Sequence, residues 1–159
     1  MKKSAGIIIL IVWFIWSTGR DLYTLLTAST TAEFYIFSSN GLTPLFFVFA
    51  LGIFLLDAAT VFYLFQPRPV GFYVALSALG LSLLQSIVSM SLTLSDLSGV
   101  REAYVASREA RGLSVREEAL DMMFTPAAMY LIFGVIVVIT AVAAFLIIRN
   151  RSYFLRRQG

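Results

Sequence analysis

The sequence predicts an all-α integral membrane protein whose four transmembrane helices form an antiparallel bundle. Four apolar segments predict it, at about residues 4–28, 42–65, 70–95 and 126–148. Each has the roughly 20 residues that an α-helix needs to cross the hydrocarbon core of a bilayer. The composition agrees, because 59% of the 159 residues are hydrophobic and 13% are charged, whereas a soluble domain carries about 25% charged residues.

The four segments occupy most of the chain, so we expect residues 1–159 to form a single membrane domain. The first segment also has the charged, apolar and small-residue layout of a signal peptide, from Lys2-Lys3 to Ser17-Thr18-Gly19. Two tryptophans and the apolar residues that follow favour a retained helix. Cleavage is the alternative, and it would leave the other three helices in place.

Several short motifs predict where helices begin and end. The link Gln66-Pro67-Arg68-Pro69 is tight, so the second and third helices should be antiparallel neighbours. Ser38-Ser39-Asn40-Gly41 predicts a turn. Thr43-Pro44 and Thr125-Pro126 each predict an N-cap followed by proline at the first helical position.

The outer loop, residues 96–125, is predicted to be helical. Two short helices, Val100–Arg111 and Val115–Phe124, are divided by Gly112. Ser114-Val115-Arg116-Glu117 matches a capping box at the start of the second. Its apolar residues share one face. We therefore expect a short amphipathic helical segment that either covers the bundle or docks a partner.

The distribution of basic residues predicts that both termini are cytoplasmic. The segments on one side carry seven basic residues and no acid: Lys2, Lys3, Arg68, Arg149, Arg151, Arg156 and Arg157. On the other side, basic residues alternate with acids, so the positive-inside rule places the first side in the cytoplasm. We expect the cytoplasmic membrane of a bacterium. The expected partners are the lipid bilayer and either another membrane protein or a second copy of the chain.

Asp57 is an acid in the middle of an apolar segment. It lies nine residues before Gln66, so about 13 Å from the inner boundary by helix rise. A charged acid in hydrocarbon is costly, so Asp57 should face the bundle, a water-filled cavity or a partner.

Four other polar residues lie near the same depth and form, with Asp57, a predicted intramembrane polar site. Thr60 shares the face of Asp57, Ser82 and Gln85 belong to a small and polar stripe on the third helix, and Thr140 lies on the fourth. The site is either structural, with hydroxyls that hydrogen-bond across helices, or a proton or solute path in which Asp57 titrates.

Arg20 and Asp21 form a predicted charge pair at the outer interface. They lie about 25 Å beyond Lys3 by helix rise. The pair is either a solvated helix end, with Arg20 reaching the headgroups, or the lining of an outer vestibule. By this count, Asp21 lies too far outward to meet Asp57.

The chain has no Cys and no His, which excludes thiolate chemistry and histidine catalysis. We therefore predict no catalytic residue, metal site or cofactor. The basic residues follow the membrane edges, so no nucleic-acid partner is expected. The first functional hypothesis is a non-enzymatic accessory or assembly subunit of a membrane complex. The alternatives are a small proton-linked transporter or channel that uses Asp57 in an oligomer, and an intramembrane enzyme that binds a lipid-linked phosphate near Arg20.

Overall fold

The computed structural model describes residues 4–155, and within that range it is helical with no strand. In chain order the helices are α1 (Ala5–Leu26), α2 (Ala32–Ser39), α3 (Thr43–Phe65), α4 (Pro69–Ser95), α5 (Leu97–Ala110), α6 (Glu117–Met123), α7 (Pro126–Arg149) and α8 (Arg151–Leu155). Four of them, α1, α3, α4 and α7, are long and apolar enough to span a membrane. The predicted all-helical class and the four long segments are therefore confirmed.

Four of the basic residues on which the predicted orientation depends lie outside the described residues: Lys2, Lys3, Arg156 and Arg157. We call the two ends of the molecule the terminal end and the loop end. The terminal end is where α1 begins and α7 ends. The loop end is where α1 ends and α7 begins.

The predicted helix starts have different outcomes. The hydroxyl of Thr125 accepts a hydrogen bond from the backbone N–H of Ala128 at 3.2 Å, as expected of an N-cap. The cap predicted at Thr43 is wrong, because Thr43 is already helical and Leu42 holds the N-cap position without a side-chain bond. The reason is the turn before it. Gly41 has φ 70° and ends α2, so that α3 starts almost directly.

The long helices pack chiefly as neighbouring pairs: α1 on α3, α3 on α4, and α4 on α7. The contact between α1 and α7 is smaller. A buried apolar cluster, the terminal cluster, joins all four at the terminal end. Its members are Ile7, Leu10, Phe14, Leu64, Phe72, Ala75, Ala78, Leu79, Ala143, Ile147 and Phe154. The packing at this end is apolar and close.

The short helix α8 lies against the link between α3 and α4. The hydroxyl of Tyr153 donates a hydrogen bond to the carbonyl of Leu64 at 2.7 Å. Phe154 is fully buried and packs edge-on against the ring of Phe72. Helix α8 thus packs against the end of α3 and the first turn of α4.

At the loop end, α2 packs on α5 and α3. Ile36 of α2 is buried with Val100 and Ala103 of α5. The segment between the first two predicted transmembrane segments therefore contains a helix. Ile36 is buried by α5 and Phe37 by α3, and these tertiary contacts are not revealed by the local sequence pattern.

Helix α6 is tied to α5 by the guanidinium of Arg101, which contacts Glu117 at 2.6 Å and Asp121 at 3.0 Å. The predicted capping box is wrong, because α6 begins at Glu117 and no side chain caps it. Ser114 instead belongs to the connection, where its carbonyl accepts a hydrogen bond from Arg108 at 2.9 Å.

Replacement of Gly71 by alanine should destabilise the fold. A Cβ there would clash with the Cβ of Tyr63 and lie 3.3 Å from the Phe154 ring. Such overpacking costs about 1–3 kcal/mol. Chemical unfolding in detergent would measure it. The control is Gly80→Ala on the same helix, where no atom lies within 4 Å of the new Cβ. Equal stability of the two variants would contradict the proposed packing.

Candidate functional site

A cavity of about 460 Å³ lies between α1, α3, α4 and α7, on the loop side of the terminal cluster. It brings together six of the seven residues predicted as site residues: Arg20, Asp21, Asp57, Ser82, Gln85 and Thr140. The two candidate sites that the sequence suggested separately therefore line one space.

Thr60 is the predicted residue that does not line the cavity. It is fully buried, and its hydroxyl donates a hydrogen bond to the carbonyl of Leu56 at 2.8 Å. Although it follows Asp57 by three residues, it lies nearer the terminal end, where packed side chains close the cavity. Its polar group is satisfied within its own helix, so Thr60 is structural.

Asp57 is held at the cavity by the face that it shares with Ala50 and Ile53, which line the same wall of α3. It is 4% exposed. Its carboxyl group interacts with the side chains of Ser17 and Asp21, both on α1. The acid in the middle of the apolar segment thus faces its neighbouring helix and a cavity, as the cost of exposure to lipid requires.

The expectation that Asp21 lies too far outward to meet Asp57 is wrong. The count took the start of α1 and the end of α3 as level. In the structure, Asp57 lies beside Ser17, one helical turn before Asp21, so α1 and α3 are offset along their axes and the two carboxyl groups are close enough to interact.

Asp21 combines an ion pair with an unpartnered oxygen. The guanidinium of Arg20 contacts Oδ1 at 3.1 Å. Oδ2 is buried and has no hydrogen-bond partner, and the residue is 8% exposed. The Arg20 side chain is 60% exposed, which places it at the mouth of the cavity. The predicted charge pair therefore lines the cavity and leaves one acceptor free.

Glu33 is a cavity residue that the sequence interpretation missed. It lies in the first turn of α2, whose N-cap Thr31 accepts a hydrogen bond from Phe34 N–H at 3.3 Å. A threonine followed by an acid in the next turn is a recognisable helix start, and it was the available signal. Glu33 is exposed at the mouth of the cavity. The surrounding protein still partly desolvates its carboxyl group, which raises its pKa above the ordinary value of 4.5; Arg20 opposes this shift, and Asp21 adds to it.

The remaining walls are mixed. Ser82, Gln85 and Ser86 form a polar wall on α4, and apolar side chains from α1 and α7 face it, among them Trp13 and Ile139. Within residues 4–155, no three acids are arranged to hold a metal ion. The cavity instead combines carboxyl groups, hydrogen-bonding side chains and apolar surface, which is the character of a pocket for a small organic molecule.

Glu33→Gln should flatten the pH dependence of stability. Because the folded-state pKa of Glu33 is raised, its contribution is fully present below its ordinary pKa and is lost as pH rises through the raised value. Glutamine stays neutral, so the variant should lose less stability than the wild type as the pH rises above the ordinary pKa of 4.5. Thermal unfolding across this range would show it. Glu102→Gln on α5, outside the cavity, is the control, and parallel profiles for Glu33→Gln and the wild type would contradict the expectation.

The cavity thus gathers three carboxyl groups, Asp21, Glu33 and Asp57, and one guanidinium, Arg20. The carboxyl groups outnumber the guanidinium, and Oδ2 of Asp21, which is shielded from solvent, has no hydrogen-bond partner. No protein-family model, curated protein or solved structure matched the chain in comparisons with known proteins.

Proposed function

We propose that the protein binds a small organic cation in this cavity and acts as a small membrane carrier, with Asp57 and Asp21 holding the charged group. The observation that supports this proposal is the meeting of the two carboxyl groups beside a buried oxygen of Asp21 that has no partner. A buried acceptor without a partner costs about 1–3 kcal/mol. Oδ2 is shielded from the cavity in the structure, so an ammonium group would supply the missing donor after a rotation of the Asp21 side chain.

The charge of the cavity favours a cation over an anion. Three acids line it, and Arg20 is already engaged with Asp21. A phosphate group would meet the carboxyl groups at close range, where like charges repel. This weakens the hypothesis of an enzyme acting on a lipid-linked phosphate.

The cavity is closed toward the terminal end. Its mouth, at Arg20 and Glu33, is at the loop end, and the terminal cluster closes the opposite side. Under the positive-inside rule, the loop end faces outward and both termini are cytoplasmic. The solute then enters from outside, and its release inward requires a second conformation, in one chain or in an oligomer.

Composition alone still suggests an accessory or assembly subunit. The exposed apolar side chains of α7 do not favour that hypothesis, because a helix in contact with lipid also needs an apolar surface. No surface among residues 4–155 selects a protein partner over lipid.

The orientation can be tested with single cysteines, because the chain has none of its own. Ala110→Cys, at the exposed end of α5, should react with a membrane-impermeant maleimide added outside intact cells. Gln66→Cys, in the exposed link after α3, should react only after the membrane is permeabilised. The reverse pattern would overturn the orientation and, with it, the direction of entry.

Asp57→Asn should weaken the binding of propylamine, a minimal ammonium probe, by about tenfold or more, because hydrogen bonds to charged groups are worth about 1.5–3 kcal/mol. Calorimetric titration of the protein in lipid nanodiscs would measure the affinity. The control is Asp96→Asn, which keeps a capping side chain at the start of α5, away from the cavity. Binding unchanged in Asp57→Asn, or equally weakened in both variants, would refute the assignment.

A further inference from the structure

An apolar groove lies between α1 and α7, next to the cavity. Its volume is about 170 Å³. The walls are Ile9, Leu10 and Trp13 on α1 and Val138, Val142 and Leu146 on α7. Val142 is 53% exposed, so the groove also faces outward, toward the lipid that would surround the helices.

Two polar side chains, Ser4 and Asn150, join α1 and α7 at the terminal end. The hydroxyl of Ser4 donates a hydrogen bond to Oδ1 of Asn150 at 2.8 Å. The Asn150 amide in turn donates to the carbonyl of Leu146 at 2.8 Å. Gly6 allows the approach, since a Cβ there would lie 2.8 Å from the Asn150 amide nitrogen. The two helices therefore meet at this end, and the groove begins directly above.

The groove and the cavity adjoin each other at two shared residues. Trp13 and Ile139 line both. From Ile139 to Leu146 the groove follows seven residues of α7, or about 10 Å by helix rise. One molecule can therefore occupy both spaces if a polar group at one end is joined to a narrow apolar chain.

We infer that the cation carries an alkyl chain, which lies in the groove between α1 and α7 while its ammonium group lies at Asp57 and Asp21. The ligand class is a primary alkylamine amphiphile. This inference rests on the proposed function and narrows it. Ordinary lipid tails can fill an apolar groove, but only a cationic head complements the acids at its upper end.

The chain length should set the affinity. Each methylene buried is worth about 0.8 kcal/mol, or about fourfold in affinity. Octylamine should therefore bind at least about tenfold more tightly than propylamine, even if only part of its longer chain is buried. A ligand held by the cavity alone would show no such gain.

Trp13 can report binding by its fluorescence. The chain has two tryptophans, and Trp16 is exposed and lines neither space. In a Trp16→Phe background in nanodiscs, titration with propylamine and octylamine gives both affinities from the same probe. Val142→Trp in the same background would fill the groove but add a second fluorophore, so Val142→Phe is the better variant.

Val142→Phe should remove the extra affinity for octylamine and leave that for propylamine unchanged. The matched control is Val135→Phe, also exposed on α7 but lining neither the groove nor the cavity. Because each variant is compared on the same amine, partitioning of octylamine into lipid cancels.

Three outcomes are distinguishable. Selective loss of octylamine binding in Val142→Phe supports the inference. If both amines bind the wild type equally, or if Val142→Phe and Val135→Phe behave alike, the inference is overturned while the proposed function stands. If neither amine binds the wild type, the proposed function fails, and the inference fails with it.

Discussion

The cost of placing a carboxyl group in hydrocarbon is the constraint on which this structure depends. Asp57 lies in the middle of a 23-residue apolar helix and cannot face lipid without a large penalty. The fold meets this constraint by facing Asp57 toward α1, where Ser17 and Asp21 lie beside it. The long helices are therefore divided into two halves, a dry terminal half and a polar half around a cavity.

The helices are not held together chiefly by the hydroxyl groups that line them. Thr18, Thr60, Ser86 and Thr93 each donate to the carbonyl four residues earlier in the same helix. Side chains bonded in this way offer little to a neighbouring helix. Close contact between small and apolar surfaces is the main association of α3 with α4, as at Gly71 against Tyr63. These intrahelical hydroxyl groups therefore contribute little to the contacts between helices.

The sequence predicts the long helices well because length and hydropathy are local properties. It also predicts most residues of the site, because a buried acid and a polar stripe mark the faces that avoid lipid. The meeting of Asp21 and Asp57 could not be predicted, since it depends on the offset of α1 and α3 along their axes, which tertiary packing determines. Glu33 was missed for a similar reason, because the position of α2 beside the cavity depends on its packing against α5 and α3.

The terminal cluster joins segments that are far apart in the sequence. Ile7 and Leu10 belong to the first turns of α1, whereas Ile147 and Phe154 belong to the end of α7 and to α8. Ser4 and Asn150 join these two segments by a hydrogen bond. The wall that closes the cavity below Asp57 is therefore completed only when α7 and α8 pack on α1, so the cavity cannot take its final shape before the last helices are in place.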